Sequence, residues 1–358
     1  MKSLLVPVLA FALYACGSDS GGTRGAVGLN ADVDLPDRRS SVVVDGCVLD
    51  TWQRSTLATA SAKRVLRGGD VILLCLVPRE DGTVGPRDPS AKAALAGLVG
   101  DIKREGYRVH LGVSFTDESG QRYDGAQTRA WLAQPAWQRR FLETVVPAVE
   151  AADGVEIDLQ KLPDDARADV TSLVRGLAGR IRPQKRLGVF IPPSVTTPSD
   201  LPGGEAFNRV ELAPHVDRMR VMTLDYSESQ AGPTIDPGWA VDAVRLAQSA
   251  TPNVDVSFPL YGIDFGPRGV RGVSYNEAIA AAAIGGQPIY RGPTQAAYVS
   301  WTSFGGESHM TWFDDADSTA VALGGWAPPV LGENVGVLFY SLGAEDPKLW
   351  DSLARRLP

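Results

Sequence analysis

Glu156, Asp158 and Gln160 occupy alternate positions of one short apolar run, and their types and spacing are those of a chemical site. A strand repeats every two residues, so these three share one face while Val155, Ile157 and Leu159 share the other. Carboxylates on an inward face suit proton transfer or hydrogen bonding to a polar ligand, because buried charge without partners costs several kcal/mol. The run ends in an amide. Gln160 can donate and accept hydrogen bonds but has no acidic proton to give, so recognition survives there where general acid catalysis does not.

A site of this kind needs a scaffold, and the flanking sequence supplies one. From residue 40 onward short β-branched runs alternate with longer helical stretches, the pattern of repeated βα units around a parallel sheet. Strands are expected at Val42–Leu49, Val71–Val77, Arg108–Phe115, Gly154–Leu159, Leu187–Ile191, Arg218–Asp225, Val254–Leu260 and Val335–Ser341. Trp137, Phe141, Val145 and Val149 recur at steps of four and predict one buried helical stripe, with Pro147 near its end. Eight such strands define an α/β fold, a (β/α)8 TIM barrel, whose ligand site lies at the carboxyl ends of the strands.

Those ends carry acidic and aromatic residues. Asp45, Asp50 and Trp52 follow the first strand, Glu80 and Asp81 the second, and Thr116 and Asp117 the third. Asp225 and Tyr226 close the sixth, Tyr261 and Asp264 follow the seventh, and Tyr340 lies on the eighth. Rings that stack on sugars and carboxylates that bond hydroxyls suit a carbohydrate cleft. One segment breaks the repeat. Residues 266–313 hold an alanine-rich helix at Ser274–Ile284 and two short strands, Ala297–Thr302 and His309–Phe313, around Gly305 and Gly306, and read as a small α+β insertion between strands seven and eight.

The formal charge of −7 and a pI near 5.1 argue against nucleic acid as a partner, which requires a basic face. No phosphate-cradling glycine loop, nucleophilic-serine elbow or spaced Cys and His cluster is present, so no cofactor and no metal are expected. The first 16 residues run from Lys2 through an apolar stretch to Leu13-Tyr14-Ala15-Cys16, the order of an export signal. The ending resembles a bacterial lipobox, which implies lipidation of Cys16, a membrane partner through that anchor, and a place in the cell envelope, on the outer membrane where one exists. Residues 17–38, rich in Gly, Ser, Asp and Arg, read as a flexible tether, and 39–358 as the folded barrel. Cys47 and Cys75 lie on the first two predicted strands; a disulfide and two buried thiols are both open.

The run from Asp153 to Gln160 resembles the Asp-x-x-Asp-x-Asp-x-Glu signature of glycoside hydrolase family 18, the chitinases and related endo-N-acetylglucosaminidases. Val221-Met222-Thr223-Leu224-Asp225 is similar to the family's Met-x-Tyr-Asp strand, Phe258 to Asp264 to its Pro-x-Tyr-Gly strand, and Gly336 to Leu342 to its last strand. Trp312-Phe313-Asp314-Asp315 and Leu342 to Asp346 look most like the branch of spore-cortex glycosylases and germination proteins. The resemblance implies a substrate-assisted mechanism, in which the substrate's acetamido oxygen attacks the anomeric carbon. It implies that Asp158, with Asp153, Glu156 and Asp225, forms the catalytic constellation. It also implies that Met222, Tyr226, Tyr261, Asp264, Tyr340 and Trp52 contact a glycan containing N-acetylglucosamine, chitin-like or peptidoglycan.

The departures fall together. Gln160 stands at the general acid, Leu224 at the motif's tyrosine, Tyr340 at the tryptophan of the central subsite and Glu156 at an aspartate, and the family's Ser-x-Gly-Gly is absent at Ser114-Phe115-Thr116-Asp117. The first expectation is therefore a surface-anchored glycan-binding barrel with weak or no hydrolysis. The second is a working glycosidase drawing its acid from Glu156, Asp225 or Glu228. The third is a structural or interaction barrel without a glycan ligand.

Overall fold

The computed structural model describes residues 35, 38–117, 123–195, 204–325, 331, 332 and 334–358. The expected signal, Cys16 and most of the expected tether lie outside these residues. Eight parallel strands close on themselves: β1 (Ser40–Val44), β2 (Asp70–Pro78), β4 (Arg108–Ser114), β5 (Gly154–Asp158), β6 (Arg186–Ile191), β7 (Arg218–Val221), β8 (Val254–Pro259) and β14 (Gly336–Tyr340). Closure is made by β1, which pairs with both β2 and β14, so the ring has no free edge. A short β3 (Val84–Pro86) adds an antiparallel partner to β2 outside the ring.

Outward-facing strand residues pack against the surrounding helices. Trp137, Phe141 and Val145 line the buried side of the helix Pro135–Ala148, and Val149 at its C-cap is fully buried too. Pro147 sits in the final turn, where the helix is already ending, so the expected kink becomes a terminus. Trp137 and Phe141 stack 5.4 Å apart, and each such buried ring contributes roughly 1.5 to 3 kcal/mol.

Inside the ring the side chains form layers, as barrel interiors do. Val43, Ile72, Leu74, Phe190 and Leu338 make the apolar middle layer, with Met222 and Tyr340 packed on it from the carboxyl side. Beneath lies a fully buried ionic layer built on Arg220, whose guanidinium bonds Glu156 at 2.7 Å, Asp70 at 2.9 Å and Asp255. His110 Nδ1 also meets Glu156, at 2.7 Å. Room for this layer comes from glycine. A Cβ on Gly188 would stand 1.9 Å from Glu156 Oε2, closer than any atoms approach without bonding.

Between β8 and β14 the chain builds a second, five-stranded sheet in the order β10 (Gly269–Val273), β9 (Gly262–Gly266), β13 (Ser308–Phe313), β12 (Ala297–Thr302), β11 (Tyr290–Arg291). The helix Tyr275–Gly285, opened by a Ser274–Glu277 capping box, packs on it through Ala278 against Val273, Ala297 and Phe313. Cys47 and Cys75 are buried free thiols, the Cys47 S–H donating to the Cys75 carbonyl at 3.0 Å. Among the described residues no helix is long and apolar enough to cross a membrane.

Candidate active site

A cavity of about 300 Å³ opens at the carboxyl ends of the barrel strands. Asp158, the last residue of β5, forms its buried floor. Three neighbouring elements fix its surroundings. The chain after β4 returns through a bridge between Thr116 and Tyr123, and Asp124 then caps the helix Gly125–Leu132, so Tyr123 is anchored on both sides. Its hydroxyl donates to Asp158 Oδ2, and Gln160 Nε2 donates to Oδ1 at 3.1 Å. Ser114, which ends β4, is paired with Asp158 across the strands and lies beside the same carboxylate.

Burial pushes the Asp158 carboxyl above its ordinary range, and the bonds from Tyr123 and Gln160 only partly offset that. Tyr123 is raised as well, by burial and by the adjacent Asp158. The two groups therefore keep a hydroxyl proton between them rather than two charges.

Across the cavity β7 ends at Val221. The Thr223 hydroxyl then bonds both the carbonyl and, as acceptor at 3.0 Å, the N–H of Ser257 on β8. That stitch turns the following residues over the cavity, where Asp225 takes a left-handed φ of 59°. Non-glycine residues rarely adopt that region, and such strain concentrates at functional sites. Asp225 accepts the Tyr261 hydroxyl, and its carboxyl is raised by burial, a shift opposed by that bond and increased by the charge of Glu228. Tyr261 meets Tyr340 edge to face, with centroids 6.3 Å apart. Asp45 and Arg87 form an ion pair of 2.6 Å on the remaining wall.

The structure brings Gln160, Asp158, Asp225, Tyr340, Tyr261 and Met222 together in this lining. Five other residues expected there lie elsewhere. Glu156 shares the face of Asp158 but one layer deeper, where burial raises its carboxyl and Arg220 and His110 more than reverse the shift. It is held ionised and locked away from the cavity. Asp153 precedes β5 at the opposite end, accepting from Val109 N–H at 2.9 Å and from Lys103 at 2.6 Å. Asp264 belongs to the second sheet, bonded to His309 at 2.9 Å and Thr311 at 2.7 Å. Tyr226 packs on Trp239 at 5.3 Å, and Trp52, 42% exposed, donates to Glu345 at 3.3 Å. Of the other rim acids, Asp50 caps the helix Thr51–Ala58 and Asp81 closes a turn with Thr83.

Tyr123, Arg87, Lys161 and Phe190 also line the cavity and were not expected. Tyr123 carried one legible signal: an aromatic hydroxyl directly before an aspartate able to cap a helix on the carboxyl side of strand three. Nothing in the spacing marks Arg87 or Phe190.

The closed parallel barrel has the fold of solved chitinases and of a spore cortex-lytic enzyme. The crystal structure of the spore cortex-lytic enzyme SleL from Bacillus cereus has this fold, with a TM-score of 0.75 and 17% identity over 91% of this chain and 75% of that one. A chitinase from Chromobacterium violaceum matches with a TM-score of 0.71 and 17% identity, covering 88% of this chain and 98% of its own. A glutamate-to-glutamine mutant of the class V chitinase from Nicotiana tobaccum, in complex with NAG4, matches with a TM-score of 0.67 and 13% identity, covering 89% and 99%. No protein-family model and no curated protein sequence matches the chain.

Proposed function

We propose that this chain is a glycan-binding barrel of the glycoside hydrolase family 18 type that holds N-acetylglucosamine-containing glycan with little or no hydrolysis, on the cell envelope through a lipid on Cys16. The observation that carries the reading is the bond from Gln160 Nε2 to Asp158 Oδ1 at 3.1 Å. At the position where the family resemblance calls for an acid, the cavity offers an amide, and no glutamate is among the described lining residues. The carboxylates that remain are each engaged, Asp45 by Arg87, Asp158 by Tyr123 and Gln160, and Asp225 by Tyr261. Loss of general acid catalysis removes a factor of about 10² to 10⁴ in rate. Recognition needs no such proton: Tyr340 and Tyr261 offer ring surface, and Asp158 is oriented to accept an amide N–H. That a class V chitinase carrying a glutamate-to-glutamine change was crystallised in complex with NAG4 supports glycan binding by a barrel of this fold.

One observation favours a second reading. Asp225 lines the cavity and burial raises its carboxyl, the direction a general acid requires, which would make the chain a slow hydrolase. Calorimetric titration with the N-acetylglucosamine tetramer, alongside release of shorter oligomers from it, separates these readings. Binding without release supports the first, and release abolished in Asp225→Asn supports the second. Absence of binding to this ligand and to cell-wall glycan fragments removes both and leaves an interaction barrel. The anchor is tested by Cys16→Ala, which should move the chain from the membrane fraction to the soluble one.

A further inference from the structure

Lys161 follows Gln160 directly and is exposed on the cavity lining. It takes a left-handed φ of 56°, and its carbonyl packs so closely on the start of the helix Gly125–Leu132 that a Cβ on Gly125 would come within 1.7 Å of it. The backbone is thus held in a disfavoured conformation by its surroundings, which fixes where the side chain leaves the chain.

The charge balance of the lining makes that side chain distinct. Arg87, the other cation of the described lining, is neutralised by Asp45 at 2.6 Å and donates further to the Leu74 carbonyl. Lys161 has no carboxylate partner among the described residues. The acids of the floor, Asp158 and Asp225, accept from neutral donors and are themselves raised by burial. An acidic group seated on the floor would meet those two carboxyls and be repelled. At the mouth it would meet the Lys161 ammonium, which has no carboxylate partner among the described residues.

We propose that Lys161 is a specificity-determining residue that reads a carboxylate on the glycan, so that the preferred ligand is an acidic amino-sugar polymer, one whose neutral ring sits over Asp158 while its carboxylate lies at the mouth. The inference rests on the glycan-binding reading above and narrows it. A neutral polymer of N-acetylglucosamine uses the floor alone. A polymer whose sugars carry a lactyl ether carboxylate uses the floor and Lys161.

The test uses the full chain and three ligands of equal length: the neutral N-acetylglucosamine tetramer, the alternating tetramer with N-acetylmuramic acid, and the same alternating tetramer with its lactyl carboxylates amidated. Calorimetric titration at low ionic strength should show the acidic tetramer bound about fivefold more tightly than its amide, the scale of one partly exposed ion pair. High salt should erase the difference, because an exposed pair is screened. Lys161→Met should lose the preference and Lys161→Arg keep it, with binding of the amidated ligand reporting that each variant is folded. Equal affinity for acid and amide in the parent chain overturns the role of Lys161 while leaving glycan binding intact, as does a preference that survives Lys161→Met. Failure of all three ligands to bind removes the glycan reading itself.

Discussion

Gln160 and Tyr123 clasp Asp158 from opposite sides, the amide on Oδ1 at 3.1 Å and the hydroxyl on Oδ2, so the carboxylate is held in one orientation as an acceptor. Gln160→Glu replaces the amide donor with a carboxylic acid of nearly the same shape. In its protonated form the new side chain keeps the bond to Asp158, the two carboxyls sharing one proton because like charges at that distance resist joint ionisation. We expect turnover of N-acetylglucosamine oligomers to rise above the parent by up to about 10² to 10⁴, with a pH profile belonging to the pair and not to either residue. Product release assayed across pH checks this. Retained binding with no gain in turnover would assign equal weight to Leu224 and Tyr340.

Arg220 is the largest fully buried side chain, and it is the one cation among the described residues that bonds Glu156, Asp70 and Asp255 alike, with Arg39 and Arg108 also on Asp70 and Arg218 on Asp255. Removing it leaves uncompensated carboxylates in the barrel interior. Arg220→Met should cost about 3 to 5 kcal/mol, read by urea denaturation, with a large loss of soluble protein. Gly188→Ala should act on the same layer by driving a methyl into Glu156, whereas Gly97→Ala, on a helix with open space around its Cα, should be neutral or slightly stabilising. Equal behaviour of the two glycine variants would show that the ionic layer tolerates displacement.

Much of the scaffold was legible because barrel strands are short β-branched runs separated by helices. All eight expected strands form, with ends that move by a few residues: the first runs Ser40–Val44 instead of Val42–Leu49, and the sixth stops at Val221. Site membership was harder. The period of two assigns Glu156 and Asp158 to one face but says nothing of depth, and two residues along a strand separate a structural ionic layer from a ligand cavity. Asp264 and Trp52 follow strand ends in sequence, yet the chain turns into a second sheet and a helix there, so proximity in sequence to the rim does not place a side chain over the cavity. Tyr123 and Arg87 reach the site from loop and edge segments whose geometry depends on tertiary pairing.

Asp314 follows β13 and accepts from Thr234 at 2.8 Å and Ser318 at 2.9 Å. Burial pushes its carboxyl up to about 6, against the pull of those two bonds. A carboxyl raised above its unfolded value stabilises the fold fully below that value, near 4, and the contribution is lost as pH rises through about 6. Asp314→Asn keeps the shape and removes the titration. Its thermal midpoint should match the parent near pH 4 and exceed it at neutral pH, by a stability difference on the order of 3 kcal/mol at most. Parallel curves for variant and parent across pH 4 to 7 would rule this out.

Tyr340 ends β14 and presents its ring beside Tyr261, the two meeting edge to face at 6.3 Å. Its inner part packs on the apolar layer formed by Leu74, Phe190 and Leu338, so one side of the ring is committed to the barrel and the rest belongs to the cavity. Stacking on such a ring contributes about 0.5 to 1.5 kcal/mol beyond the area it buries. Tyr340→Ala should therefore weaken binding of the N-acetylglucosamine tetramer roughly tenfold, since 1.4 kcal/mol is a factor of ten. Tyr340→Trp enlarges the platform toward the residue that family 18 resemblance calls for and should tighten binding, provided the wider ring clears Tyr261. Tyr340→Phe keeps the ring and drops the hydroxyl, so affinity within about twofold of the parent assigns the contribution to stacking. A loss in Tyr340→Phe as large as in Tyr340→Ala would instead assign it to the hydroxyl, and the glycan would then be held at this wall by hydrogen bonding.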